Sequence, residues 1–264
     1  MMTTNRMRLI GVLHLPPLPG SPRAAASVAE IARAAAADAR ALAEAGFDCA
    51  MIENFGDAPF FAGDVPRVTV SAMTACAVAV REACPALPLG INVLRNDADA
   101  ALAIAAVVGA ACIRVNVHTG ARVTDQGIVQ GDAARTLRRR RELGAERVAI
   151  WADVDVKHSA ALAERPLAQE AQDLALRGMA DALLVTGSGT GKAVDAKKLE
   201  VVRAAVPGVP LLVASGATID ALPALARLCD GIIVGSALRA GGVAGGPIEH
   251  ARANDLARAF RAVF

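Results

Sequence analysis

Residues 152–159 read ADVDVKHS. In an extended chain Asp153, Asp155 and Lys157 share one face, and Val154 and Val156 share the other. Two carboxylates and an amine on one face suit acid–base work, and a desolvated lysine can also attack a carbonyl as a Schiff-base amine. His158 has the opposite parity. Upstream, CIRVNVH (112–118) puts Arg114, Asn116 and His118 on one face. Arg114 is a natural ion-pair partner for Asp153 or Asp155, because a charge inside a fold is costly unless paired. Other polar residues also close apolar runs: His14 before LPPLPG, Glu53 before NFGDAPF, Asn92 within INVLRNDA, Asp125 within TDQG, and Thr186 within LVTG. We expect catalytic roles for Glu53, Asp153, Asp155 and Lys157. Substrate contacts are expected from His14, Asn92, Arg114, Asn116, His118, Asp125 and Thr186. Asp153, Asp155 and Glu53 also offer oxygen ligands to a divalent cation, but their spacing matches no metal motif. No metal ligand is therefore assigned, and the cofactor is left open.

Glycines carry a second kind of chemistry. LVTGSGTGK (184–192) resembles a nucleotide P-loop, but GxxxxGK[ST] would need Gly at 186 and Ser or Thr at 193. The chain has Thr186 and Ala193. Small residues follow the next two apolar runs as well, in ASGAT (214–218) and VGSAL (234–238). They let backbone N–H groups approach an anion closely, and a following helix adds a favourable dipole. Gly187, Ser188, Gly189, Ser215, Gly216, Gly235 and Ser236 are thus expected to bind phosphate.

These residues need a scaffold that brings strand ends together. Apolar, β-branched runs occur at 8–15, 47–54, 88–94, 112–117, 147–156, 182–187, 210–215 and 231–236. Alanine-rich helical stretches separate them at 27–45, 67–83, 97–109, 131–143, 167–178, 195–205, 218–228 and 247–262. Nearly continuous apolar strands between helices indicate a parallel sheet covered by helices. Eight strand–helix units without a break in composition fit one (β/α)8 TIM barrel over residues 1–264. An open doubly wound sheet would instead show GxGxxG after its first strand, where this chain reads LPPLPG. A barrel places its site at the carboxyl ends of the strands, where the polar residues above lie.

Composition narrows the function classes. Of 264 residues, 54% are hydrophobic and the net charge is only +2, which argues against nucleic acid as a partner. The run Arg138–Arg141 reads as a solvated helix end. No apolar run has the roughly 20 residues of a membrane span. The five cysteines lack CxxC spacing and read as reduced, buried thiols of a cytoplasmic protein. A homo-oligomer is expected from the habits of barrels.

Several motifs together resemble the BtpA/SgcQ family: IGVLHLPPLPGSP (10–22), ENFGDAPF (53–60), INVLRNDA (91–98), IRVNV (113–117), TDQGIVQG (124–131), ADVDVKHS (152–159), DALLVTGSGTG (181–191) and DGIIVGSALR (230–239). The resemblance implies a TIM barrel with a phosphate-site-like end. One departure stands out: Ala214 replaces a usual glycine. In the final loop, where relatives often read GTSLK, Ser236 and Arg239 retain a hydroxyl and a cation. The family is named for a photosystem I biogenesis factor, and other members lie beside sugar-metabolism genes. The expected function is an enzyme acting on a small phosphorylated metabolite, a sugar phosphate or nucleotide-derived compound, as isomerase, lyase or hydrolase. The alternative is a non-catalytic assembly factor of the photosystem I biogenesis type, acting through a protein partner.

Overall fold

The computed structural model describes residues 8–187 and 194–264. Eight parallel strands close a barrel: β1 (Leu9–His14), β2 (Cys49–Glu53), β3 (Leu89–Asn92), β4 (Cys112–Val115), β7 (Ala149–Asp153), β9 (Ala182–Val185), β10 (Leu211–Val213) and β11 (Gly231–Val234). Neighbours follow chain order, and β1 pairs with β11 to close the ring. Helices α1 (Val28–Ala45), α2 (Arg67–Ala83), α3 (Ala98–Val108), α4 (Ala133–Glu142), α5 (Leu167–Gln172), α6 (Ala196–Ala205), α7 (Leu222–Leu225) and α8 (His250–Val263) follow the barrel strands. The eight expected strands and the barrel are all present. The expected helix at 218–228 shrinks to α7 with a single 3₁₀ turn before it.

Local signals explain the boundaries. Ser27 and Glu30 form a reciprocal capping box at the start of α1, and Gly46 ends it in the left-handed conformation at φ 80°. The Asp97 side chain accepts from the Ala100 N–H at 2.8 Å and so caps α3.

The alternation of side chains sorts the strands into two cores. Leu9, Leu13, Ile52, Ile91, Ile113, Ile150 and Leu183 pack outward against the helices. Ile10, Val12, Cys49, Met51, Cys112, Trp151, Leu184, Leu212 and Ile233 form a separate cluster inside the barrel. Gly90 belongs to that inner layer. A methyl group there would lie 2.6 Å from Met51 Cε and 2.9 Å from Cys112 Sγ, so the large neighbours occupy its place. The lumen is therefore a packed apolar plug, and the next inward positions along the strands become its polar rim.

Three short strands outside the expected elements form a second sheet. β5 (Ala121–Thr124), β6 (Gly127–Gln130) and β8 (Ser159–Ala161) make a small antiparallel sheet in the order β6-β5-β8. Val129 on this sheet buries against Val117 and Val156. The expected strand at 147–156 thus stops at Asp153, because the chain leaves the barrel to pair with β5. All five cysteines are buried and free. Among the described residues no helix is long and apolar enough to cross a membrane.

Candidate active site at the barrel mouth

His14, Glu53, Asn92, Arg114 and Asp153 occupy inward positions at or near the carboxyl ends of β1, β2, β3, β4 and β7. Strand register sets His14 opposite Glu53, Glu53 opposite Asn92, and Asn92 opposite Arg114. At the centre lies a bidentate ion pair. Arg114 Nε donates to Asp153 Oδ1 at 3.0 Å, and its Nη2 donates to Oδ2 at 2.9 Å. Both side chains are almost wholly buried. Burial works against the charge on Arg114, but the Asp153 carboxylate outweighs it and pushes the guanidinium pKa up. Asn116 Nδ2 also donates to Asp153 Oδ2, at 2.8 Å. Asn92 Nδ2 donates to the Arg114 carbonyl at 3.0 Å and to Asn116 Oδ1 at 3.3 Å. Asn92 Oδ1 is buried and has no partner.

Lys157 reaches this cluster from the loop after β7. Burial pushes its amine pKa down, and Arg114 and Arg95 push the same way against Glu53 and Asp153. Glu53 is 8% exposed, and no described side chain hydrogen-bonds its carboxylate. Arg95 is 6% exposed, and its Nη2 donates to the Lys157 carbonyl at 2.7 Å. Burial pulls its pKa below the usual arginine value.

His14 stacks on Phe55, with ring centroids 4.2 Å apart, and its Nδ1 accepts from the Gly245 N–H at 3.3 Å. Burial first, then the Arg239 and Lys157 charges, push its pKa down to about 2, so the ring is neutral at ordinary pH. Arg239 is 1% exposed and donates to three carbonyls, of Val12, Gly235 and Gly246. It forms no ion pair among the described residues, and Asp38 and Glu53 are the carboxylates whose charges act on it. The cations acting on Lys157 and His14 outnumber the carboxylates Glu53 and Asp153.

Other candidates lie elsewhere. Asp155 turns away from the lumen and takes Arg122 Nη2 and Lys198 Nζ, each at 2.5 Å. Thr186 Oγ1 donates to the Asp155 carbonyl and accepts from the Lys157 N–H, both at 3.0 Å, so it latches the end of β7 to β9. His118 is 1% exposed, and its Nε2 lies 2.8 Å from the Gly178 carbonyl. Burial lowers its pKa as well. Asp125 is exposed at the tip of the β5–β6 hairpin, yet its charge acts on Arg95. Arg95 and Arg239 were not among the expected site residues. The polar run RND after β3 was a visible signal for the first, and the cation retained where relatives often read GTSLK was a signal for the second.

The expected phosphate loops are built from small residues in close contact. Ser215 Oγ accepts from the Gly187 N–H at 2.9 Å, and Gly216 has φ 72°. Gly235 packs under His14, where a methyl group would lie 2.9 Å from Cε1 and 3.0 Å from Nε2. Ser236 opens a single 3₁₀ turn. Ser188 and Gly189 lie outside the described residues. Gly235→Ala is expected to displace the imidazole from Phe55 and to cost about 1 kcal/mol in chemical denaturation. An unchanged midpoint and an unchanged His14 NMR environment would contradict the contact. Among the described residues no cluster of three His, Cys, Asp or Glu side chains is placed to hold a metal ion.

These features define a (β/α)8 barrel whose mouth combines a carboxylate, a desolvated lysine and an excess of buried positive charge. The chain belongs to the BtpA family, whose model matches residues 5–262. It is 44% identical over 231 residues to the photosystem I biogenesis protein BtpA of a Synechocystis strain, covering 88% of this chain and 80% of that one. It is also 44% identical over 257 residues to an uncharacterized protein of Pyrococcus horikoshii, covering 97% of each chain. Among solved structures, phosphoribosyl anthranilate isomerase from Thermus thermophilus shares the fold with a TM-score of 0.58 at 12% identity, over 97% of this chain and 100% of that one. The native KDPGal structure does so with a TM-score of 0.57 at 20% identity, over 97% and 93%.

Proposed function

We propose that the protein is an enzyme that binds a small phosphorylated metabolite at the barrel mouth, with Lys157 and Glu53 moving protons on it. One observation carries this reading: a lysine whose pKa burial has lowered stands near a carboxylate that no described side chain hydrogen-bonds. A lysine whose pKa burial lowers gives up its proton more readily than a solvated one, which suits a group that passes protons to and from a substrate. The surplus of buried positive charge favours an anionic ligand, because an anion entering the mouth offsets repulsion among Arg95, Lys157 and Arg239. Asn92 Oδ1 supplies an acceptor for a substrate hydroxyl. Arg114, Asp153 and Asn116 act as the rigid base that orients these groups. The small-residue loops at Gly187, Ser215–Gly216 and Gly235–Ser236 receive the phosphate. Isomerisation, bond cleavage by a lyase and hydrolysis all use such a pair, and the geometry favours none of them.

The second reading is an assembly factor that works through a protein partner. The name of the Synechocystis relative favours it, as do Val123 and Ile128, which pair across β5 and β6 and stand exposed.

A thermal-shift screen against phosphorylated sugars and nucleotides tests the first reading. A ligand at 100 times its Kd should stabilise the protein by about 2.7 kcal/mol. Lys157→Met should weaken that ligand about tenfold or more and abolish its turnover, whereas Glu53→Gln should remove turnover with little loss of binding. No stabilisation by any phosphorylated compound would shift the weight to the partner-binding reading.

A further inference from the structure

A cavity of about 340 Å³ lies beside the mouth, walled by the loops that follow β1, β2 and β3. We propose that it is a binding pocket for a small, uncharged, largely apolar group that carries a hydroxyl, separate from the anion expected at the mouth. Its volume is at the lower end of the roughly 300–1,000 Å³ typical of small-ligand sites.

The walls are apolar and fixed. Pro22, Pro59, Phe60, Val65, Pro66 and Leu94 face the cavity. Asn54 clamps Leu94 from both sides: its Oδ1 accepts from the Leu94 N–H at 2.7 Å, and its Nδ2 donates to the Leu94 carbonyl at 3.4 Å. The Arg95 N–H donates to the Phe61 carbonyl at 3.1 Å and ties the rim to the loop after β3. Gly56 is wedged so tightly that a methyl group there would lie 2.3 Å from the Pro17 nitrogen. A cavity with walls held this way exists before any ligand arrives, which reduces the ordering cost of binding.

Two hydroxyl residues point to what the occupant must offer. Thr69 lines the cavity, is 6% exposed, and its hydroxyl makes no hydrogen bond among the described residues. Farther along the same helix, Ser71 Oγ donates to the Arg67 carbonyl at 3.0 Å and Thr74 Oγ1 to the Val70 carbonyl at 2.8 Å. Thr69 sits in the first turn, where the residue four positions back belongs to the preceding loop, so that option is missing. Ser21 also lines the cavity, and its oxygen is buried without a partner. An unpaired buried hydroxyl such as that of Ser21 is costly, and a ligand group that donates or accepts satisfies it together with the cavity-lining Thr69 hydroxyl.

The charge of the occupant follows from Asp57. It is the charged residue lining the cavity, and no cation lies among the lining residues. Its oxygens already accept from the Leu18 N–H at 2.7 Å and from Asn54 Nδ2 at 3.1 Å. An anion entering here meets a carboxylate and no counter-charge. That is the reverse of the mouth.

The test uses a fluorescent reporter at the rim. Trp151 is the sole tryptophan and is fully buried in the barrel. Phe61 is 57% exposed, so Phe61→Trp places a second indole at the entrance without disturbing the core. The full-length Phe61→Trp protein is titrated with benzyl alcohol, toluene and benzoate. Benzyl alcohol should give a saturable change, and benzoate should bind at least tenfold more weakly. Adding Thr69→Val should weaken benzyl alcohol about three- to tenfold and leave toluene unchanged. Ser21→Ala in the same background gives a second reading if Thr69→Val fails to fold, with circular dichroism as the check. A linear, unsaturable response would overturn the proposal. So would benzoate binding as tightly as benzyl alcohol, or an alcohol-to-toluene ratio unmoved by both substitutions.

Discussion

Replacing Asp153 with alanine is expected to destabilise the protein by about 3–5 kcal/mol, read as a lower midpoint in urea unfolding. The substitution leaves the Arg114 guanidinium charged inside the barrel with its bidentate acceptor gone. Asn116 Nδ2 loses the same acceptor. The stated cost is that of an uncompensated buried charge, not the net value of the pair. The double variant Arg114→Leu/Asp153→Leu should therefore recover most of the loss, because apolar groups of similar volume can replace a buried pair at little net cost. A second ion pair gives the contrast. Lys198 and Asp155 also meet, but their side chains are 40% and 27% exposed. Lys198→Ala should cost no more than about 1 kcal/mol. If Asp153→Ala and Lys198→Ala proved equally mild, water would have to reach the Arg114 side chain and the barrel mouth would be more open than its burial implies.

The same contrast explains what could be read from the sequence. Alternation places side chains reliably for as long as a strand lasts. Arg114 and Asp153 fall within β4 and β7, and they face the lumen and each other. Asp155 lies two residues beyond β7, where the chain bends out to form β8, so its parity no longer tells direction. Its partners come instead from β5 and α6, which no local pattern connects to it. His118 fails in the same way: β4 ends at Val115, and the ring turns to the Gly178 carbonyl. The barrel itself was legible because eight long apolar runs alternate with helices. The β5–β6 hairpin was not, because ARVT and GIVQ mix polar and small residues and form no continuous apolar run like those that hold the equally short barrel strands. Arg95 joins the mouth through the path of a loop, which depends on the hydrogen bond from its N–H to the Phe61 carbonyl, a partner remote in sequence.

Stability should fall as pH drops from 6.5 to 5, and His14 should account for part of the slope. In the unfolded chain a histidine titrates near 6.5, whereas in the folded protein burial and the nearby Arg239 and Lys157 charges hold the His14 pKa at about 2. Below pH 6.5 the unfolded state therefore takes up a proton that the native state refuses. Stability rises with pH wherever the unfolded state binds more protons, so it is fully present above 6.5 and is lost toward acid. One such group changes stability by at most about 1.4 kcal/mol per pH unit. The ring keeps a partly exposed edge, so the loss at pH 5 should be about 1–2 kcal/mol. His118 pushes in the same direction, because burial lowers its pKa too. Asp38, Asp57, Asp97 and Glu170 oppose both at lower pH, since burial raises their pKa values and the native state then holds protons more tightly than the unfolded chain. Between 5 and 6.5 the comparison with His14→Gln separates the His14 share from these carboxylates, which both proteins keep. Urea midpoints measured there should show a shallower slope in His14→Gln than in the unsubstituted protein, with the remainder carried by His118. An unchanged slope in His14→Gln would mean that His14 takes a proton in the folded state. An imidazolium beside Arg239 and Lys157 would then make the mouth still more positive, and the affinity for an anionic ligand would rise, not fall, as the solution is acidified.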